Sequence, residues 1–289
     1  MQSIILGVFA SLLSAATAWV VSYSSNDYIS PLWLLLGQYI VGIILSPPKQ
    51  KPVAPFTLHG IRLAAGIWAF AGYYIALATP GASAADASML LNTAPIFATF
   101  YAVKQNRARL SAILAFVGVA LTIISEHKGG LHFAIWQFLA LTSALAYAAS
   151  FIILGLLADR GEKPKTTSSV YNLLSVLVII ILIAIYRPSL PIHWWPVIVV
   201  GGIAALRIQV LTIAVTSPEA SAKVSILTNL AFVWLAIAEV IQGTHYTLLQ
   251  WVSMALVILG VGISPGSNAA QKDKIRNRTR RSQRTDGQH

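Results

Sequence analysis

Ten apolar runs, each near the length that crosses a lipid bilayer, limit what this sequence can become. A bilayer core takes about 20 predominantly apolar residues per helix. The runs lie at about 2–23, 29–46, 56–78, 84–103, 110–125, 132–158, 167–186, 193–216, 219–241 and 246–264. Turn-forming text separates them, including SPPKQKP (46–52), TPG (79–81), DRGEKPK (159–165) and QGTH (242–245). Only 10% of the 289 residues are charged and 56% are hydrophobic, whereas a soluble domain carries about 25% charged residues. Too few ionisable side chains exist to coat a water-soluble globule of this size. The expected fold is therefore all-α, a polytopic membrane protein with ten transmembrane helices. The expected location is a membrane, taken to be a bacterial inner membrane. The opening MQSIILGVF lacks a basic n-region, so the first run reads as a membrane helix rather than a cleaved signal.

Charge placement sets the orientation. Taken in alternate loops, one set with the C-terminal tail holds fifteen lysines and arginines, among them Lys49, Lys51, Lys104, Arg160 and Lys163. The other set holds two, Lys128 and Arg187. Basic loops stay on the cytoplasmic side, so both termini are expected there. Seven of the twenty basic residues lie in the last eighteen positions, within QKDKIRNRTRRSQRTDGQH. That tail has almost no apolar residues, and the sequence predicts a disordered segment that anchors topology and attracts anionic lipid. It lacks the interleaved aromatics of a nucleic-acid binder, so no nucleic-acid partner is expected.

The sequence also repeats. SAADASMLLNTAPIF (83–97) aligns with ASAKVSILTNLAFVW (220–234) at a register of 137 residues. Ser88 meets Ser225, Asn92 meets Asn229, and Asp86 meets Lys223. The chain divides into two halves of five spans, 1–131 and 132–264, followed by the tail 265–289. Five is odd, so the second half enters the membrane from the opposite side. Inverted repeats are a signature of alternating-access transporters, whose substrate sits near the midplane between the repeats.

The stretches TPGASAADASMLLNTAPIF with KQNRARLSAILAFVGVALTII, and TSPEASAKVSILTNLAFVWLAIAEV with LLQWVSMALVILGVGI, resemble the two EamA-type repeats of the drug/metabolite transporter superfamily. The resemblance covers nearly all of residues 1–264. It implies ten helices, cytoplasmic termini and a central cavity lined mainly by spans 1, 3, 4, 6, 8 and 9. It also implies transport, often export, of small metabolites such as amino acids. The chain departs from the family's Gly-Glu-Arg-like turn after span 4, where it has KQNRAR.

Polar residues inside the spans mark the candidate site, because a charge at a helix centre costs roughly 2.5–3.5 kcal/mol and so faces a cavity or a partner. Arg207 lies deep in span 8, and its forked guanidinium matches a carboxylate or phosphate. The alternatives are a structural ion pair or snorkelling to the inner face. Lys223 is shallower and one helical turn from Glu219, so local pairing competes with substrate contact. Asp86 and Glu239 are candidate proton-coupling carboxylates; for Asp86 the competing role is a carboxylate favoured at a helix start. Ser88 with Asn92, and Ser225 with Asn229, share helix faces and suit either pocket lining or helix–helix hydrogen bonding. Gln38 is similar. Trp19, Trp68, Tyr73, Tyr74, Tyr147 and Trp234 are candidates for an aromatic wall, with lipid contact or packing as the competing role. Trp33, Trp194, Trp195 and Trp251 sit at span ends and fit an interfacial belt.

No G-x-x-x-x-G-K-[ST] phosphate loop, no H-E-x-x-H and no cysteine occur, so an ATP motor on this chain, a zincin site and thiolate metal sites are excluded. No enzyme activity, cofactor or metal is expected. The leading expectation is a secondary transporter of a small polar metabolite, an amino acid or derivative. The alternatives are an organic-anion or nucleotide-type exchanger using Arg207 with Lys223, and a non-transporting membrane scaffold.

Overall fold

The computed structural model describes residues 2–24, 29–48, 50–94, 97, 110, 113–114, 117–118, 120–121, 134–214 and 230–263. Among these, nine helices of eight residues or more follow one another: α1 (Gln2–Ser24), α2 (Pro31–Leu45), α3 (Phe56–Ala78), α4 (Ala84–Leu91), α5 (Ile135–Asp159), α6 (Pro164–Tyr186), α7 (Trp195–Ala214), α8 (Ala231–Ile241) and α9 (Leu248–Ile263). The described residues contain no strand. Three segments, Ile5–Ser24, Phe56–Ala78 and Lys165–Tyr186, are long and apolar enough to cross a membrane.

Local chemistry sets the boundaries. Pro31 and Pro164 occupy first-turn positions of α2 and α6, where the missing N–H costs nothing and φ is already helical. Gly161 at φ 82° ends α5, and the Glu162 N–H returns to the Leu157 carbonyl at 3.1 Å. Gly243 at φ 92° ends α8 in the same way, with the Thr244 N–H on the Glu239 carbonyl at 2.9 Å. Both are left-handed closures that glycine makes without a Cβ penalty.

On α6 the exposed face is apolar and the buried face carries polar groups beside Val170 and Ile179. α6 turns Leu173, Leu177, Ile180, Ile181 and Ile185 outward while it buries Thr166, Thr167, Ser169, Asn172 and Ser175. The outward positions recur at i+3 and i+4, an apolar stripe facing away from the core. A lipid surround selects this arrangement, because apolar exposure costs nothing there and polar groups need internal partners.

The helices pack mainly across the two halves of the chain. α3 lies along α5, and α1 along α7; α2 contacts α6 and α7, and α4 contacts α5 and α8. α2 and α7 approach closely through glycine. A Cβ on Gly37 would stand 2.5 Å from the Val197 carbonyl oxygen, and one on Gly201 would stand 2.8 Å from that of Gly37. One continuous core draws residues from every helix.

Candidate functional site

One polar group in this core hangs on α3. Tyr73 and Tyr74 are consecutive and diverge to two neighbours. The Tyr73 hydroxyl hydrogen-bonds with Ser88 of α4, and the Tyr74 hydroxyl donates to Gln38 Oε1 of α2 at 2.5 Å. One turn earlier, Phe70 packs edge-on against Tyr74 and against Tyr147 of α5, with centroids 6.4 and 5.9 Å apart. Arg207 of α7 reaches this group with its guanidinium carbon 5.6 Å from the Phe70 centroid. Its charge lies within electrostatic range of both tyrosines. Five candidates named from the sequence on four different helices (Arg207, Gln38, Tyr73, Tyr74 and Ser88) thus form one cluster, with Tyr147 at its edge.

Two donors there are unspent. Gln38 Nε2 and Arg207 Nε are buried with no hydrogen-bond partner among the described residues. An orphaned buried donor costs about 1–3 kcal/mol, so folded proteins rarely keep one without a use. Neither Arg207 nor Arg62 lies within ion-pairing distance of a carboxylate among the described residues. The cluster offers donors and positive charge to an acceptor-rich, negatively charged group.

Two carboxylates tie the halves of the chain together away from this cluster. Glu162, in the α5–α6 turn, accepts the N–H groups of Val53 and Ala54 at 2.8 and 2.9 Å. His59 Nε2 stands 3.6 Å away. Burial opposes the charge, but the two backbone donors and His59 outweigh it, and the Glu162 pKa falls below the ordinary glutamate value. Glu239 of α8 accepts Ser83 Oγ at 2.9 Å and the Ala85 N–H at 3.1 Å. It also accepts the Tyr246 hydroxyl. The carboxylate therefore sits on the N-terminus of α4, the positive end of the helix dipole. Burial and the bond to Glu239 push the Tyr246 pKa up.

Other candidates fall elsewhere. Trp19 and Trp68 are 39% and 45% exposed, and Trp19 stacks on Tyr23 at 5.6 Å. They stand on the perimeter. Trp234 is half-buried and donates to Ser11 Oγ at 2.9 Å, joining α8 to α1. Asp86 is buried in the first turn of α4, which Ser83 caps through the Asp86 N–H at 3.2 Å. Glu239 is the α4 clasp just described. Asn92 is half-buried and is the C-cap of α4, its N–H on the Ser88 carbonyl at 2.9 Å. Lys223, Ser225, Asn229 and the basic tail lie outside the described residues.

The sequence reading missed Glu162, His59, Arg62, Tyr39 and Tyr171. Glu162 had a signal in its turn, between a helix-ending glycine and a helix-starting proline. Its partners Val53 and Ala54 had none, because backbone N–H groups carry no residue identity. Tyr39 and Tyr171 meet hydroxyl to hydroxyl at 3.1 Å across 132 positions, a pairing that spacing does not reveal.

No protein-family model matches the chain, and no curated protein matches it. Solved structures do share its fold. One, described only as "Crystal structure of protein", superposes with a TM-score of 0.62 at 15% identity, covering 91% of this chain and 95% of its own. At that identity the likeness concerns the fold alone.

Proposed function

We propose that the chain is a secondary transporter of a small polar metabolite, an amino acid or a close derivative, working by alternating access. In this reading ten spans form two inverted five-span halves of the EamA type, as the sequence resemblance implies. The observation that carries it is the pair of unspent buried donors, Arg207 Nε and Gln38 Nε2, inside a helical protein with an apolar exterior. Arg207 takes the substrate carboxylate, Gln38 and Tyr74 a second polar group, and Phe70 with Tyr147 the apolar side.

The packing supports the two halves. Under the repeat, α5, α6, α7 and α8 correspond to spans 1, 2, 3 and 4. The α3–α5 contact is then the counterpart of α1–α7, and α4–α5 that of α1–α8. The α2–α6 and α4–α8 contacts are each their own counterpart. So is the join between the fifth and tenth runs, where Ser253 Oγ donates to the Gly118 carbonyl at 2.5 Å. The positive loops put the Glu162 clasp on the cytoplasmic side and the Glu239 clasp on the opposite side. Each bridges the first half to the second, as a gate must. Energy comes from a gradient or from exchange.

The test is flux. Purified protein in liposomes preloaded with single amino acids is expected to show counterflow of at least one of them. Arg207→Ala is expected to cut that flux by roughly tenfold or more, the loss of one charge-assisted contact. Counterflow unchanged by Arg207→Ala removes the carboxylate anchor. No flux of any solute favours the scaffold alternative.

A further inference from the structure

Arg62 is the seventh residue of α3, about 9 Å along the axis from its first residue at 1.5 Å per residue. Its guanidinium donates to the Thr167 carbonyl of α6 at 2.8 Å and lies 4.7 Å from the centroid of the Tyr171 ring. Its Nε is buried without a hydrogen-bond partner. No carboxylate among the described residues pairs with it. Glu162 stands beside His59, one turn before Arg62, yet it is engaged by His59 and the N–H groups of Val53 and Ala54. A carbonyl and a ring face hold part of the guanidinium. What they leave is a donor edge whose natural complement is a planar oxyanion.

We propose that Arg62, framed by Tyr171 and Tyr39, is a second binding site for the carboxylate of the transported solute. It rests on the transporter reading. Arg207 lies against Phe70, eight residues further along α3, so the two stations are about 12 Å apart along that helix. A small carboxylate leaving Arg207 toward the N-terminal end of α3 meets Arg62 next. Beside these stations stand Gln38, whose Nε2 has no partner among the described residues, and the hydroxyl groups of Tyr39 and Tyr171. The ligand class is small organic anions, monocarboxylates and dicarboxylates. Among the described residues, a solute with net positive charge finds no unpaired counter-charge at either station.

Succinate serves as the probe. The full chain is purified in neutral detergent, and its thermal unfolding midpoint is followed as succinate replaces chloride at constant ionic strength. A ligand that binds only the folded state raises the midpoint with concentration. Wild type is expected to be stabilised by succinate. Arg62→Gln is expected to raise the apparent Kd roughly tenfold, and Arg62→Lys, which keeps the charge but loses the fork, to raise it less. Arg207→Gln is expected to weaken binding without abolishing it, and the double variant to abolish it. Wild-type succinate affinity in both Arg62 variants overturns the proposal, and Arg62→Lys decides alone if Arg62→Gln does not fold. Stabilisation by phosphatidylglycerol in mixed micelles, with none by succinate, assigns Arg62 to a lipid headgroup and also overturns it. Arg62-dependent succinate binding in a protein without flux leaves the anion site standing and removes the transporter reading. Flux with no Arg62 effect does the reverse.

Discussion

Glu162 ties the α5–α6 turn to the segment before α3 through one side chain. It is 5% exposed, accepts two backbone N–H groups and faces His59. Hydrogen bonds to a charged group are worth about 1.5–3 kcal/mol, so Glu162→Gln is expected to lower stability by about that much at neutral pH. The sign follows from the lowered pKa. The stabilisation is present above the ordinary glutamate pKa of about 4.3 and is lost as pH falls through the still lower value of the folded state. Thermal midpoints of wild type and variant should therefore differ at pH 7 and converge at strongly acidic pH. A gap of constant size across that range would mean that the charge is not what holds the clasp. This residue was hard to see in the sequence, because its partners are backbone groups 108 and 109 positions away. Arg207 and Gln38 were legible for the opposite reason. A polar side chain deep in an apolar run stands out wherever its partners lie.

Helices show a similar division. Their starts and stops were written in Pro31, Pro164, Gly161 and Gly243, and those signals act over one turn. The fourth apolar run shows where this fails: a turn at Asn92 and Thr93 closes α4 at Leu91, and helical backbone returns at Ala94. Length and hydropathy do not register a local turn. Close helix approach was also illegible, since a glycine that lets two backbones meet reads like any other glycine. Gly201 and Gly202 separate the cases. Gly201→Leu drives a side chain into the Gly37 carbonyl and should destabilise by about 1–3 kcal/mol or more. Gly202→Leu meets open space and should stay within about 0.5 kcal/mol of wild type. Equal melting points for the two variants would contradict the α2–α7 approach.

In the whole molecule, the first and second halves of the chain meet at two carboxylate clasps. The Glu162 clasp and the Glu239 clasp are both closed in this structure, which corresponds to an occluded state in the proposed cycle. Alternating access requires that one opens while the other holds. The chain contains no cysteine, so spin labels can be placed without removing native thiols. Lys51→Cys with Lys163→Cys reports the Glu162 end, and Pro80→Cys with Thr244→Cys reports the Glu239 end; all four positions are exposed. Pulsed electron–electron distance measurement on each pair, in liposomes with and without the amino acid that shows counterflow, is the most direct test. Each pair is expected to sample a short and a long distance, and substrate or pH to shift the two pairs in opposite directions. A single unchanging distance in both pairs would contradict alternating access between the halves.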